Sequence, residues 1–427
     1  MALLPEKPAR IFRIKPIDAK QRTVAVLDLF LNGNSSGARF DRKSTILLVG
    51  YPLVLFLFFI LPSSSAARNL LVVVAFTHFW YNRYQLVQIK MLATQITVLT
   101  GLLLISYITF SLFWSTPPFN HNAENQLRYG FVTLLFWVVS ILYFNNNTLA
   151  LKHIYWVFGM GVLGNLLGAW LTEYSLDRDG RLTGYSILNN PIILGSVAVI
   201  QVAIGVHLRY RAGVDKAIGV ALLVIAMILI ILTGSRGPLL ALLAVFFVWF
   251  WSRVEIKPIY KVMLIIAVGG TVLLAAQMTG ILAGLIERGL SLRPIIWHET
   301  LLASQQHWVF GWGWANDFNQ SPVSQAILEI SGNSIIHPHG LLISSLYYGG
   351  VIGLFVHVVF FYAVARAAFQ ARDRGLALGL VAAILLLTAT DTNAAVSKRD
   401  FMWLIFWIPV TIVITRTLPI VAPRSAS

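Results

Sequence analysis

The chain has 427 residues, of which 57% are hydrophobic and 11% are charged. Because a soluble domain carries about 25% charged residues, this composition excludes a soluble globular protein and predicts a polytopic membrane protein. The absence of cysteine excludes disulfides and thiolate chemistry. The net charge of +15 does not indicate a nucleic-acid partner, because the basic residues lie between apolar segments.

The first 44 residues are basic and lack the apolar core of a signal peptide. The spacing of Val24, Leu27 and Leu31 is typical of an interfacial helix on the inner leaflet, and a disordered basic tail is the alternative. The segment is therefore predicted to be cytoplasmic in either case.

Apolar segments long enough for membrane helices, roughly 17–25 residues, follow in residues 45–279 and again in residues 338–420. The predicted fold is an all-α membrane protein with about 12 transmembrane helices and one long, partly helical loop at residues 280–337. The predicted spans are 45–62, 67–82, 91–114, 127–144, 153–173, 190–207, 216–233, 237–252, 260–279, 338–365, 375–391 and 400–420.

The distribution of basic residues predicts the orientation. With the N-terminus in the cytoplasm, most of the 32 Lys and Arg residues fall on the cytoplasmic side. An even number of spans then leaves both termini inside, with a short cytoplasmic tail at residues 421–427. The loop at 280–337 lies on the opposite, external face.

The positive-inside rule, by which basic residues collect on the cytoplasmic side, does not explain arginine on the external face. Arg236 lies in Gly234-Ser235-Arg236-Gly237-Pro238 at a membrane boundary, and Arg288 and Arg293 lie in the long loop. The planar guanidinium matches phosphate oxygens bidentately. Each arginine alone is explained by lipid contact or ion pairing, but the three together predict an anion site.

The long loop ends in His337-Pro338-His339-Gly340. Because proline suits the first turn of a helix, we expect the helix to begin here. Two residues apart on a helix, His337 and His339 would then point to nearly opposite sides, with only one facing the loop. Histidine is a suitable general base near neutral pH. A helix-start histidine bonded to backbone is the alternative.

Two further motifs are open to more than one interpretation. Asp177-Arg178-Asp179 is an Asp-x-Asp pair of the kind that holds a divalent metal, but its surroundings favour a plain turn. The aromatic residues of the long loop are consistent with sugar stacking or with a membrane-interface belt. They are Trp297, Trp308, Phe310, Trp312, Trp314 and Phe318.

Several short motifs occur in an order that resembles the O-antigen ligase superfamily. They are Arg181-Leu182-Thr183-Gly184, Asn190-Pro191, Thr233-Gly234-Ser235-Arg236-Gly237, Arg293-Pro294-Ile295-Ile296-Trp297, Phe310-Gly311-Trp312-Gly313, His337-Pro338-His339-Gly340 and Tyr348-Gly349-Gly350. The resemblance covers residues 180–355. The family usually has Asn after the second histidine, where this chain has Gly340.

The resemblance implies a metal-independent, inverting membrane glycosyltransferase of the C-type architecture, without a cofactor. Its donor would be a glycan on undecaprenyl pyrophosphate and its acceptor lipid A–core, at a periplasmic site of a Gram-negative inner membrane. Relatives polymerise O-antigen or transfer glycans to protein hydroxyls. His339, with His337 as the alternative, is implied as catalytic base, and the implied substrate-binding residues are Arg181, Arg236, Arg288, Arg293 and Trp297.

Apart from the family resemblance, the histidines and arginines are themselves suited to glycan transfer from a pyrophosphate. An acceptor hydroxyl needs a base, and a departing pyrophosphate needs positive charge nearby. The paired carboxylates of a retaining glycosidase are not found. A transporter or flippase of an anionic lipid-linked glycan is the competing class, but it would place ionisable residues deep within its spans.

Overall fold

The computed structural model describes residues 42–81, 95–115, 121–173, 175–177, 180–208, 213–253, 257–260, 262–263, 292–332, 334–392, 394–396 and 401–418. Within these ranges the chain is almost entirely helical, and one isolated antiparallel bridge joins Leu176 to Leu182. The predicted N-terminal segment, the predicted tail and most of the ninth predicted span lie outside the described residues.

The α-helices of the described part are numbered here in chain order. They are α1 Arg42–Ile60, α2 Ser64–Tyr81, α3 Ile96–Phe110, α4 His121–Asn146, α5 Ala150–Leu171, α6 Pro191–Gly205, α7 Val214–Leu232, α8 Arg236–Arg253, α9 Arg293–Ser304, α10 Pro322–Ser331, α11 Leu341–Gln370, α12 Arg374–Asp391 and α13 Ile408–Thr415. A π-helical turn, Trp403–Trp407, leads into α13.

Each predicted span except the ninth overlaps a helix in the described part of the chain. By length and composition, six of these helices are able to cross a membrane: Ile96–Phe113, Glu124–Asn146, Ala150–Leu171, Val214–Leu232, Leu341–Gln370 and Arg374–Asp391. Shorter apolar helices occupy Ile46–Ile60, Pro191–Gly205, Arg236–Ser252 and Trp403–Thr415. The all-helical membrane class is thus supported, while the count of 12 crossings stays a prediction.

Local sequence sets where several helices begin. The Asn190 side chain accepts the backbone N–H of Ile192 at 2.8 Å, and Pro191 supplies the first helical residue of α6. Ser321 caps α10 in the same way, and Gly332 ends that helix in the left-handed conformation. These are the residue types that satisfy the free backbone groups at helix ends.

Aromatic side chains fill the space between α1, α4 and the C-terminal helix. Phe136 of α4 stacks on Trp403 with ring centroids 4.2 Å apart, and Trp137 lies 5.0 Å from Trp407. The Tyr51 hydroxyl of α1 hydrogen-bonds Ser140 of α4 at 2.7 Å. Since lipid tails are as apolar as the side chains, packing and such buried hydrogen bonds hold the helices together.

Pro294 followed by Ile295, Ile296, Leu301 and Leu302 predicts an amphipathic helix, and α9 forms at these residues, but its buried face differs from the prediction. Ile296, Thr300 and Ala303 are buried, at helical spacing. Ile295, Leu301 and Leu302, which the pattern also places on the apolar face, are exposed. Two of the three residues on the buried face, Thr300 and Ala303, are small. The pattern of large apolar residues therefore did not predict which face of α9 is buried.

A loop inserts its backbone into a kink of α11. Gly350 has φ +62°, and the chain bends there. The N–H of Val351 donates to Trp308 O at 2.9 Å, and the N–H of Gly313 donates to Tyr348 O at 2.8 Å. The loop thus satisfies the backbone groups that the kink releases, as a broken membrane helix requires. This fixes the loop that follows α9 against α11.

Replacing Gly350 by alanine should destabilise the protein. The backbone of Gly350 (φ +62°, ψ −164°) is nearly exclusive to glycine, and a Cβ there would overlap Val309 O. Such strain costs about 1–3 kcal/mol, so the thermal unfolding midpoint in detergent should fall. Gly379→Ala is the matched control, since a Cβ on Gly379 meets no atom within 4 Å. Equal midpoints for the two variants would contradict the role of the kink.

Candidate active site

Four polar side chains meet where α9 begins, α11 begins and α12 ends. They are Arg293, His337, His339 and Asp391. The histidines come from the segment that precedes α11, and Asp391 is the last residue of α12. The long-loop arginine and the two histidines singled out from the sequence are therefore brought together, with an aspartate from a distant part of the chain.

The segment containing the histidines is not helical. The helix α11 begins at Leu341 with Gly340 as its N-cap residue, so the prediction of a helix starting at Pro338 is wrong. The Gly340 N–H donates to Thr392 O at 2.9 Å, and the Trp297 indole N–H donates to His339 O at 3.1 Å. These tertiary bonds hold the backbone outside the helix.

The late helix start changes the relation between the two histidines. Their rings lie 4.0 Å apart between centroids, so the prediction that they point to opposite sides is also wrong. The backbone N–H of His339 donates to His337 Nδ1 at 3.2 Å. His339 itself has φ +56°, a left-handed conformation that is uncommon for residues other than glycine. His337 is buried and His339 is the more exposed of the two.

His339 is paired with Asp391. The His339 Nδ1 lies 2.6 Å from Asp391 Oδ1, and the side chains are 26% and 10% exposed. A carboxylate only accepts, so Nδ1 donates to it and Nε2 keeps the lone pair in the neutral ring. A carboxylate that fixes the tautomer in this way prepares the other nitrogen to act as a base.

Sequence reasoning missed Asp391. It lies in Thr390-Asp391-Thr392 at the end of an apolar span, 52 positions after His339, so no local motif links the two. An ionisable residue at a span's end is a signal for a functional site. The sequence therefore shows that Asp391 is a candidate, but it does not show that Asp391 contacts His339.

Arg293 also lies near Asp391. Its Nη2 is 4.0 Å from Asp391 Oδ1, and its side chain is 28% exposed. Arg293 is the first residue of α9, whose N-terminus already carries partial positive charge. A cation at this end of a helix is unfavourable for the helix itself, and it adds to the field that attracts an anion.

Arg236 begins a helix beside the end of α12, and Arg181 is paired with Asp177. Arg236 opens α8, and a Cβ on the adjacent Gly237 would lie 2.5 Å from Thr390 Oγ1, which places this helix start beside the end of α12. Arg181 binds Asp177 through Nη2 at 2.6 Å and Nε at 2.8 Å. Both bonds go to Asp177 Oδ2, so the Nε–Nη2 edge of the Arg181 guanidinium is engaged within the chain.

Asp177, the first residue of the Asp-x-Asp motif, is bonded to Gly180 and Arg181. The Gly180 N–H donates to Asp177 O at 3.0 Å, and the Asp177 carboxylate accepts from Arg181. Both carboxylate oxygens of Asp177 are thereby engaged. Arg178 and Asp179 lie outside the described residues, as does Arg288 of the predicted arginine set.

The loop aromatics divide into two groups. Trp314 is buried and stacks on Tyr348, and Trp312 stacks on Tyr347, so both pack the loop onto α11. Trp308 and Phe310 are 50% and 52% exposed. Trp297, predicted to contact glycan, uses its N–H to hold the His339 carbonyl. Its described hydrogen bond is therefore with the segment that carries His339.

His337, His339 and Asp391 are also a possible metal-binding set. One potential ligand atom from each lies within 4.8 Å of the others, and two histidines with one carboxylate suit a transition metal. However, His337 Nδ1 accepts a backbone N–H and His339 Nδ1 donates to Asp391. The guanidinium of Arg293 adds repulsion for a cation. The residue types and the bond between histidine and carboxylate fit a metal as well as a base, and the positive charge of Arg293 favours the base.

Comparison with known proteins supports the resemblance seen in the sequence. Residues 221–358 match the family described as Wzy_C: O-Antigen ligase. The chain is 28% identical over 323 residues to an O-antigen ligase of Pseudomonas aeruginosa, an alignment that covers 72% of this chain and 74% of that protein. The predicted resemblance to O-antigen ligases is thereby confirmed, and the matched region includes Arg236, Arg293 and both histidines.

Proposed function

We propose that this O-antigen ligase-like chain is a glycosyltransferase that moves a glycan from undecaprenyl pyrophosphate to lipid A–core. The similarity to an O-antigen ligase supports glycan transfer by a membrane enzyme. The observation that carries the proposal is the His339–Asp391 pair beside Arg293. One assembly thus contains an oriented base and a cation suited to phosphate.

The proposed reaction is a single displacement. The acceptor hydroxyl oxygen attacks the anomeric carbon, and its proton passes to His339 Nε2. The bond between the anomeric carbon and the pyrophosphate oxygen breaks, and its electron pair leaves with the pyrophosphate. Attack opposite the leaving group inverts the anomeric configuration. Asp391 stabilises the imidazolium that forms, and no metal is required.

Arginine side chains are proposed to stabilise the departing pyrophosphate. Arg293 lies next to the base pair, and Arg236 opens a helix packed against the end of α12. Guanidinium groups held in place before reaction stabilise charge that develops in the transition state. Arg288 remains a candidate from the sequence. Arg181 is proposed in a supporting role, since it is paired with Asp177.

The location follows from the distribution of charge along the sequence. We place the protein in a Gram-negative inner membrane with both termini in the cytoplasm and the His339 cluster at the periplasmic face. The donor and acceptor are both lipid-linked, so a site at the end of membrane helices lets them meet at the membrane surface.

Purified protein reconstituted with the lipid-linked donor should transfer glycan to lipid A–core, and should do so equally with and without EDTA. Free glycan repeats and a hydroxyl-bearing peptide serve as competing acceptors, since related enzymes use them. Transfer to one of these alone would reassign the acceptor, and movement of the donor across the bilayer without transfer would indicate a flippase. Loss of transfer in EDTA with recovery in zinc or manganese would assign a metal to His337, His339 and Asp391.

Arg293→Lys should lower turnover by about 10- to 100-fold although the charge is kept. Lysine loses the planar fork that binds two phosphate oxygens, and each charged hydrogen bond is worth about 1.5–3 kcal/mol. Arg128→Lys is the control, because Arg128 is an exposed arginine of α4. The measurement is initial rate at saturating donor. Unchanged turnover in Arg293→Lys would show that Arg293 does not contact the pyrophosphate.

A further inference from the structure

An open cavity of ≈ 1210 Å³ lies among the opposite ends of several helices. It is bordered by the end of α8, the link between α11 and α12, and Arg416 after α13. One end of α12 carries Asp391 of the proposed active site and the other carries Arg374 of this cavity. At 1.5 Å per residue this helix spans about 25 Å, close to the roughly 30 Å hydrocarbon core of a bilayer. The cavity therefore belongs to the membrane face opposite His339.

Three arginines and one acid line the cavity: Arg372, Arg374, Arg416 and Asp373. The described chain places no carboxylate oxygen within 4.0 Å of these guanidinium groups. Asp373 is engaged as the cap of α12, where it accepts the N–H of Leu376 at 3.4 Å. The cavity thus has more positive charge than its own acid neutralises.

The structure holds two of these arginines close together. Arg372 donates from Nε to Arg416 O at 3.3 Å and from Nη2 to Thr415 O at 3.4 Å. Arg372 is thereby fixed beside Arg416, and Asp373 is the one acid that lines the cavity with them. An anion bound at the Arg416 side chain would balance the positive charge that Asp373 alone does not neutralise.

The other wall of the cavity is apolar. Phe247 and Trp251 are exposed on the end of α8, and Leu151 and Leu378 complete this side. An arginine cluster beside exposed aromatic and aliphatic side chains at a helix end is suited to a lipid, whose phosphate would contact the arginines and whose acyl chain would contact the apolar side chains. A free phosphate would use only the arginines. The apolar wall therefore favours a lipid phosphate over a free phosphate ion.

We propose that this cavity binds the phosphate of an anionic phospholipid, with its acyl chain along the Phe247 and Trp251 wall. The guanidinium groups of Arg374 and Arg416 contact the phosphate, while Arg372 remains bonded to the helix carbonyls. The proposal does not depend on the proposed glycan transfer. It assigns the face opposite His339 a lipid-binding role of its own.

The test uses the full-length protein in detergent, with binding of phosphatidylglycerol and phosphatidylcholine measured by native mass spectrometry and by thermal unfolding. We expect phosphatidylglycerol to bind at least tenfold more tightly and to raise the unfolding midpoint. Arg374→Gln/Arg416→Gln should remove this preference. Leu378→Trp, which narrows the cavity at its apolar wall without changing charge, should weaken binding as well. Arg366→Gln, an exposed arginine outside the cavity, is the matched control.

Three outcomes would overturn the proposal. One is an unchanged preference for phosphatidylglycerol in both cavity variants. Another is an equal loss in Arg366→Gln, which would indicate a general effect of surface charge. The third is protection of the wild-type protein by inorganic phosphate at the same concentration as the lipid, which would make the ligand a free anion. A folded cavity variant is confirmed by its unfolding midpoint in phosphatidylcholine.

Discussion

Replacing His339 by alanine should lower the turnover of glycan transfer by about 10²–10⁴-fold, the usual contribution of a positioned general base. A sugar hydroxyl is far too weak an acid to attack unaided at neutral pH. The Nε2 of His339 is the nitrogen left available by the 2.6 Å bond from Nδ1 to Asp391. Affinity for the lipid-linked donor should change little, because the histidine acts on the acceptor.

Two further variants separate chemistry from folding. His339 has φ +56°, so alanine adds backbone strain there, whereas His339→Asn removes the base with a residue that tolerates this conformation. Both should be inactive and still bind donor. His298→Ala, at an exposed histidine of α9, should keep full turnover. Normal turnover in His339→Asn would refute the base assignment and leave Glu299 as the next described candidate.

His337→Ala should have a smaller effect than His339→Ala. The ring of His337 is buried and accepts the backbone N–H of His339, so it positions the segment rather than the proton. A larger loss in His337→Ala, measured as turnover at saturating donor, would exchange the two roles.

Asp391→Asn should lower turnover by a comparable factor, approaching but not exceeding the loss in His339→Ala. An amide has no charge to stabilise the imidazolium, and its NH₂ can donate to Nδ1, which moves the ring proton to Nε2 and removes the base. The effect should fall on turnover and not on donor affinity. Asp373→Asn, at the other end of α12, is the matched control.

The double variant decides whether Asp391 works through His339. Residues that act as a unit lose activity together, so His339→Ala/Asp391→Asn should be no slower than His339→Ala alone. A double variant slower than His339→Ala by the full Asp391→Asn factor would show that the two side chains act independently. In that case Asp391 would have a separate contact with substrate.

Composition and periodicity were sufficient for the class of the fold. A chain with 57% hydrophobic residues in repeated apolar segments has few alternatives to membrane helices. The order of short motifs also predicted the resemblance to O-antigen ligases, which the comparisons confirmed. Apolar length and motif order are properties of the chain itself, so they do not require knowledge of its packing.

The site needed the tertiary structure. Proline at position 338 is equally compatible with a helix that starts there and with one that starts at Leu341, and bonds from Thr392 and Trp297 decided between them. That choice brought the two histidine rings together. Asp391 reached His339 only because α12 returns to the start of α11. Residue types and local spacing determined which side chains were suited to the chemistry, whereas contacts across 52 residues determined which of them meet.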